Sequence, residues 1–97
     1  MILKDKRALI TGGSRGLGAA IVQRFAVEGA KTAFTYARDE DGATATAGTI
    51  RESGGDVRAF KVSVIDGVAT GAMVDELEKA WGGIDILVSN EIGRAHV

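Results

Sequence analysis

The chain has 97 residues, 45% of them hydrophobic, with 12 basic and 13 acidic side chains, a net charge of −1 and no cysteine. A chain this short makes one small domain and buries a smaller share of its surface than a typical enzyme domain does. Balanced charge gives no bulk attraction to a polyanion, which argues against nucleic acid as a partner, and the missing cysteines exclude disulfides, thiolate metal sites and thiol catalysis.

The N-terminal stretch is charged from Lys4 onward and has no apolar signal core. No run approaches the roughly 18 apolar residues of a membrane span. A soluble, cytoplasmic protein with no membrane partner is the expectation. Ala8 to Thr11 continues a short apolar run into glycines and predicts a buried parallel strand. Leu17, Ala20, Ile21 and Phe25 then recur at helical spacing, and Gly29 supplies the stop. Lys31 to Tyr36, rich in β-branched and aromatic residues, predicts a second strand. Asp39 to Ser53 predicts a second helix, frayed because Gly42, Gly48, Thr44, Thr46, Thr49 and Ser53 lower its helical preference.

Val57 to Val64 predicts a third strand and Asp66 a helix cap, with Val74, Leu77 and Trp81 on one face of the helix that follows and Gly82-Gly83 ending it. Ile84 to Val88 is almost wholly apolar and predicts a fourth strand, buried on both faces. Strands alternating with crossover helices imply an α/β fold: half of a doubly wound Rossmann sheet, parallel, in the order 3-2-1-4. This domain covers residues 1–90. The remaining residues, 91–97, show neither strand alternation nor a helical face and read as an irregular tail, foreign to the fold.

The chemistry concentrates in Thr11-Gly12-Gly13-Ser14-Arg15-Gly16-Leu17-Gly18, between the first strand and its helix. In such a turn Gly12 leaves the strand tightly, Gly16 lets backbone approach a pyrophosphate, and Gly18 allows close packing of the helix. The free amides of the helix start, near Arg15, then face the anion. Beyond the second strand an acidic residue about 20 positions past the glycines would hold a ribose 2′-hydroxyl. No acid stands at the strand tip. Arg38 and Arg15 there can flank a 2′-phosphate through forked, charge-assisted hydrogen bonds, which favours NADP over NAD, with Asp39 the counterargument.

Together these residues resemble the short-chain dehydrogenase/reductase family, in particular its β-ketoacyl carrier-protein reductase-like members. The resemblance runs from Lys4 to Asn90 and rests on the glycine turn, on Tyr36-Ala37-Arg38, and on Gly82-Gly83-Ile84-Asp85-Ile86-Leu87-Val88-Ser89-Asn90. It implies cofactor contacts from the glycine loop (Gly12, Ser14, Arg15, Gly16, Leu17, Gly18), from Tyr36 and Arg38, and from Ser63, Val64 and Asn90 after the later strands. Two departures stand out. Ser63 takes the place of the family's adenine-binding Asp, a weaker acceptor, and the family's Asn-Asn-Ala-Gly reads here Ser89-Asn90-Glu91-Ile92-Gly93. The family's catalytic Ser and Tyr-x-x-x-Lys have no counterpart, since the one tyrosine, Tyr36, is followed by Ala37-Arg38-Asp39-Glu40. The expectation is a truncated or frame-shifted member that binds a dinucleotide or adenine nucleotide weakly and is inactive as a reductase.

A second class stays open. Gly12-Gly13-Ser14-Arg15-Gly16 also satisfies Gly-x-Ser-x-Gly between strand and helix, the setting of a hydrolase nucleophile. Ser14 would then be the nucleophile, His96 its base, and Asp66 or Asp85 the orienting acid. A third expectation is a homodimer or larger assembly, because an apolar fourth strand, residues 84–88, with no neighbour would leave an edge that seeks one.

Overall fold

A computed structural model describes residues 2–63 and 65–90. Along the chain, β1 (Arg7–Thr11), α1 (Gly16–Val27), β2 (Lys31–Tyr36), α2 (Glu40–Glu52), β3 (Val57–Lys61), α3 (Gly67–Trp81) and β4 (Ile86–Ser89) alternate. The four strands make one parallel sheet in the order β3-β2-β1-β4. This is the Rossmann-like order expected from the sequence.

Side-chain alternation along the strands divides the core into two layers. Ala8, Ile10, Phe34 and Val57 face Val22 of α1 and Ala43, Ala47 and Ile50 of α2, whereas Leu9 and Ala33 face Met73, Leu77 and Trp81 of α3. Helices α1 and α2 therefore cover one side of the sheet and α3 the other. On α1 the buried stripe is Gly18 and Val22, joined by Ile21, Phe25 and Ala26. Leu17, expected on that stripe, is 70% exposed.

Helix α2 is continuous over thirteen residues rather than frayed. Its weak intrinsic preference is overridden by burial of Ala43, Thr46, Ala47 and Ile50 and by an N-cap in which Asp39 accepts a hydrogen bond from the Gly42 amide at 3.0 Å. The third strand stops at Lys61, short of the expected Val64, because its partner β2 ends at Tyr36, paired with Lys61. Only the Val62 amide extends the pairing, to the Tyr36 carbonyl. Asp66 caps α3 as expected, accepting from the Ala69 amide, and Gly82 closes it in the left-handed conformation at φ 84.

Strand β4 pairs with β1 on one side and is the sheet edge among the described residues. Its faces alternate instead of both being buried: Ile86 and Val88 pack under α1 and α2, and Leu87 is 65% exposed. The strand is pinned before it begins. Arg7 donates through Nε and Nη2 to the two carboxylate oxygens of Asp85 at 2.9 Å and through Nη1 to the Trp81 carbonyl at 3.0 Å. Backbone groups join in as well: the Arg7 amide donates to Asp85 Oδ2 and the Asp85 amide to the Arg7 carbonyl. These bonds fix the β1–β4 register that places Ile86 against Ala8.

The Arg7 guanidinium holds the Asp85 carboxyl well below the usual carboxylate range. A depressed folded-state pKa adds stability that is complete above the unfolded carboxylate pKa, near 4, and is lost as pH falls below it. Thermal unfolding of the Asp85→Asn variant should therefore show a lower midpoint than the parent at pH 7 and a smaller difference at pH 3. An equal difference at both pH values would contradict the pairing.

Candidate functional site

Strands β1, β2 and β4 deliver their carboxyl ends to the same side of the sheet, and the chain leaves β1 toward β2 in one direction and reaches β4 in the other. A crevice forms at that switch point, beyond the strand ends. Here it is a cleft of ≈ 740 Å³ lined by Gly12, Ser14, Arg15, Ala37, Arg38, Asp39 and Asn90, within the size range of small-ligand sites.

The glycine loop is built by close approach. Gly12 leaves β1 at φ 73 and Gly16 opens α1 at φ 61, both in the left-handed region. A Cβ on Gly18 would run into the Gly12 carbonyl oxygen and the Asn90 amide nitrogen, so α1 starts against the end of β1 as only glycine permits. Around Gly16 a Cβ would meet nothing within 4 Å, which leaves its backbone open to a ligand. Arg15 is the N-cap of α1, extended at φ −159, with no side-chain cap hydrogen bond. The orphan amides of the first turn thus keep the partial positive charge of a helix start unopposed by a side chain.

Neighbouring strands hold the loop from beneath. The Gly12 amide donates to Thr35 Oγ1 at 3.2 Å and the Gly13 amide to the Thr35 carbonyl at 3.0 Å. From β4, Asn90 donates its amide to Thr11 Oγ1 at 2.9 Å and its side chain to the Gly12 carbonyl at 3.1 Å. Thr35 was not singled out by the sequence. Its signal is weak but present, a hydroxyl between Phe34 and Tyr36 at the end of a strand; the structure leaves it 1% exposed, where it needs a partner.

The residues expected from the sequence fall into three groups. Gly12, Ser14, Arg15, Arg38 and Asn90 come together on the cleft, with Gly16, Leu17 and Gly18 forming the helix start behind it. Tyr36 ends β2 half-buried and packs against the layer under α1 and α2, off the cleft lining. Ser63 is exposed in the turn after β3, where its carbonyl accepts from the Asp66 amide. Val64 and His96 lie outside the described residues, as does the whole stretch 91–97.

Asp39, the acid that could hold a ribose, caps α2 through Oδ1 and also lines the cleft. Of the two carboxylates considered for a hydrolytic triad, Asp85 precedes β4 and pairs with Arg7, at the end of the sheet opposite Ser14. It cannot orient a base at that serine. Asp66 caps α3. Among the described residues no histidine stands near Ser14.

The family model for short chain dehydrogenase matches residues 6–93. The chain belongs to this family. It is 40% identical over 88 residues to 3beta-hydroxysteroid dehydrogenase 1 of Eggerthella lenta, covering 91% of this chain and 34% of that protein. It is 38% identical over 85 residues to the 3-oxoacyl-(acyl-carrier-protein) reductase FabG of Staphylococcus aureus, covering 88% and 35%. Among solved structures, a short chain dehydrogenase from Burkholderia cenocepacia in complex with NADP superposes with a TM-score of 0.83 at 44% identity, covering 90% of this chain and 36% of the other. The chain thus spans about a third of the length of the curated relatives it matches.

The Gly18 contact gives a direct test of this short-chain dehydrogenase loop. Gly18→Ala should destabilise the fold by about 1–3 kcal/mol, because its methyl meets backbone that must move. Gly48→Ala, with open space around it inside α2, should instead stabilise by about 0.5–1 kcal/mol. Urea unfolding of both variants checks the contrast.

Proposed function

We propose that this chain is the dinucleotide-binding part of a short-chain reductase and that it takes NADP in preference to NAD. The observation that carries the reading is the division of charge at the tip of β2. Of the residues lining the cleft there, Asp39 gives one carboxylate oxygen to the Gly42 amide, while Arg15 and Arg38 stand exposed. An acid free to grip the 2′-hydroxyl would favour NAD; two guanidiniums flanking that position suit a 2′-phosphate. The NADP complex of the Burkholderia relative supports the same reading.

The chain's own residues fit such a ligand. The amides at the start of α1 receive the diphosphate, Gly16 leaves it room, and Arg15 and Arg38 bracket the adenosine ribose. The chemistry this cofactor brings is hydride transfer. The 97 residues contain no Tyr-x-x-x-Lys, because Glu40 stands four positions after the single tyrosine. Alone they therefore bind without protonating a carbonyl, and NADPH oxidation by a ketone in the presence of this chain should not exceed the uncatalysed rate. Esterase chemistry at Ser14 gains no support from the relatives, and the base expected for it, His96, lies outside the described residues.

The test is a titration of the chain with NADPH and NADH. NADPH should bind more tightly, and Arg38→Ala should weaken NADPH by about five- to tenfold while leaving NADH unchanged, given one exposed charge-assisted contact. Equal affinities for both nucleotides, or an equal loss of both in the variant, would contradict the assignment. Self-association is a separate reading, supported by the edge position of β4 and the exposure of Leu87. Sedimentation should show mass rising with concentration and Leu87→Lys should abolish the rise; a monomer at every concentration would refute it.

A further inference from the structure

The glycine loop is held unevenly. Its first half is tied down by Thr35 and Asn90, through Gly12 and Gly13. Its second half, Ser14 to Gly16, bends away from the sheet, with Arg15 and Gly16 exposed. Apart from the bonds of α1 itself and the Ala19 amide to the Arg15 carbonyl that precedes them, one hydrogen bond reaches this half among the described residues. It comes from Thr46 of α2, whose hydroxyl donates to the Ser14 carbonyl at 3.4 Å. Thr46 is 4% exposed, so its hydroxyl has been taken from water and has a reason to hold that carbonyl.

The same carbonyl meets α2 at a second point. A Cβ on Gly42 would lie 2.6 Å from the Ser14 oxygen and would also strike the Asp39 carboxylate. The first turn of α2 lacks a side chain at the place where the loop backbone leans on it. Gly42 and Thr46 are four residues apart and share a helix face. They form a narrow seat that receives one carbonyl group: open at Gly42, hydrogen-bonding at Thr46. Neither residue lines the cleft.

We infer that Gly42 and Thr46 are positioning residues that seat the Ser14 carbonyl and thereby fix the outer half of the loop at the height needed to present the first amides of α1 to a diphosphate. Because a peptide unit is planar, holding the Ser14 carbonyl also sets the direction of the Arg15 amide. The seat also joins the two walls of the cleft. The glycine loop and the tip of β2 meet behind it through Asp39, which caps the same Gly42 amide. The inference rests on the diphosphate reading proposed above.

The test compares Thr46→Val, which keeps shape and removes the hydroxyl, with Thr46→Ser, which keeps the hydroxyl. Two ligands are titrated: NADPH, and adenosine 2′-monophosphate, which carries the 2′-phosphate but no diphosphate. Thr46→Val should weaken NADPH by about three- to tenfold, the range of one hydrogen bond, and weaken adenosine 2′-monophosphate clearly less, because that ligand meets the loop through the Arg15 side chain and not through the amides of the helix start. Thr46→Ser should bind both as the parent does. A lowered unfolding midpoint with unchanged NADPH affinity, or equal losses for both ligands, would overturn the positioning role.

Amide hydrogen exchange separates failure of this inference from failure of the nucleotide reading. If the parent chain binds neither NADPH nor adenosine 2′-monophosphate, the nucleotide reading falls. The seat is then judged by exchange at Ala19, whose amide bonds the Arg15 carbonyl and which should exchange faster in Thr46→Val than in Thr46→Ser while exchange in β2 stays constant. Identical exchange at Ala19 in the two variants would overturn it.

Discussion

The ends of β1 and β4 and the start of α1 meet at the Gly12 carbonyl, and the cleft depends on how closely they approach there. The oxygen accepts the Asn90 side chain from the end of β4 and lies against Gly18 in the first turn of α1. A methyl group at Gly18 would part the helix from the strand, and loss of the Asn90 bond would release β4 from the loop. With the junction closed, the start of α1 is delivered to the carboxyl edge of the sheet, where no side chain caps it. A helix start presented in that way favours an anion before any side chain is considered.

The rest of the fold serves that junction from both ends of β1. At the opposite end of the strand, the Arg7–Asp85 pair sets the register in which β4 runs beside β1, so that Asn90 arrives level with Gly12. Within the sheet, the two core layers press β1 and β2 between α1 and α2 on one side and α3 on the other. Thr35, at the buried tip of β2, bonds the amides of both Gly12 and Gly13. A small domain thereby holds a loop with two left-handed glycines in one conformation.

What could be read from the chain alone was whatever local pattern decides. Lys31–Tyr36 is a strand with the bounds its composition predicts, and Asp66 and Gly82 punctuate α3 as capping chemistry requires. The glycine loop was legible because its spacing is itself the geometry. What failed were features set by partners distant in sequence. The frayed reading of α2 missed the burial of Thr46 and Ala47 against the sheet and loop. The overrun of the third strand missed that β2 had already ended. Leu17 looked like a core residue by spacing, yet it is exposed, because Gly18 is the residue by which the first turn packs on β1. Asp39 was ambiguous between ribose and helix in the sequence, and its cap bond to the Gly42 amide shows only in the structure.

The central claim is that the loop from Gly12 to Gly18 is a seat for a diphosphate. Mapping backbone amide resonances of the chain during addition of NADPH addresses it most directly. The account predicts that the largest shifts fall on the amides of Ser14 to Gly18 and on Arg38. Shifts centred instead on the cavity at the opposite end of the sheet, lined by Lys4, Lys31 and the Gly54-Gly55 turn, or no shifts at saturating nucleotide, would contradict it.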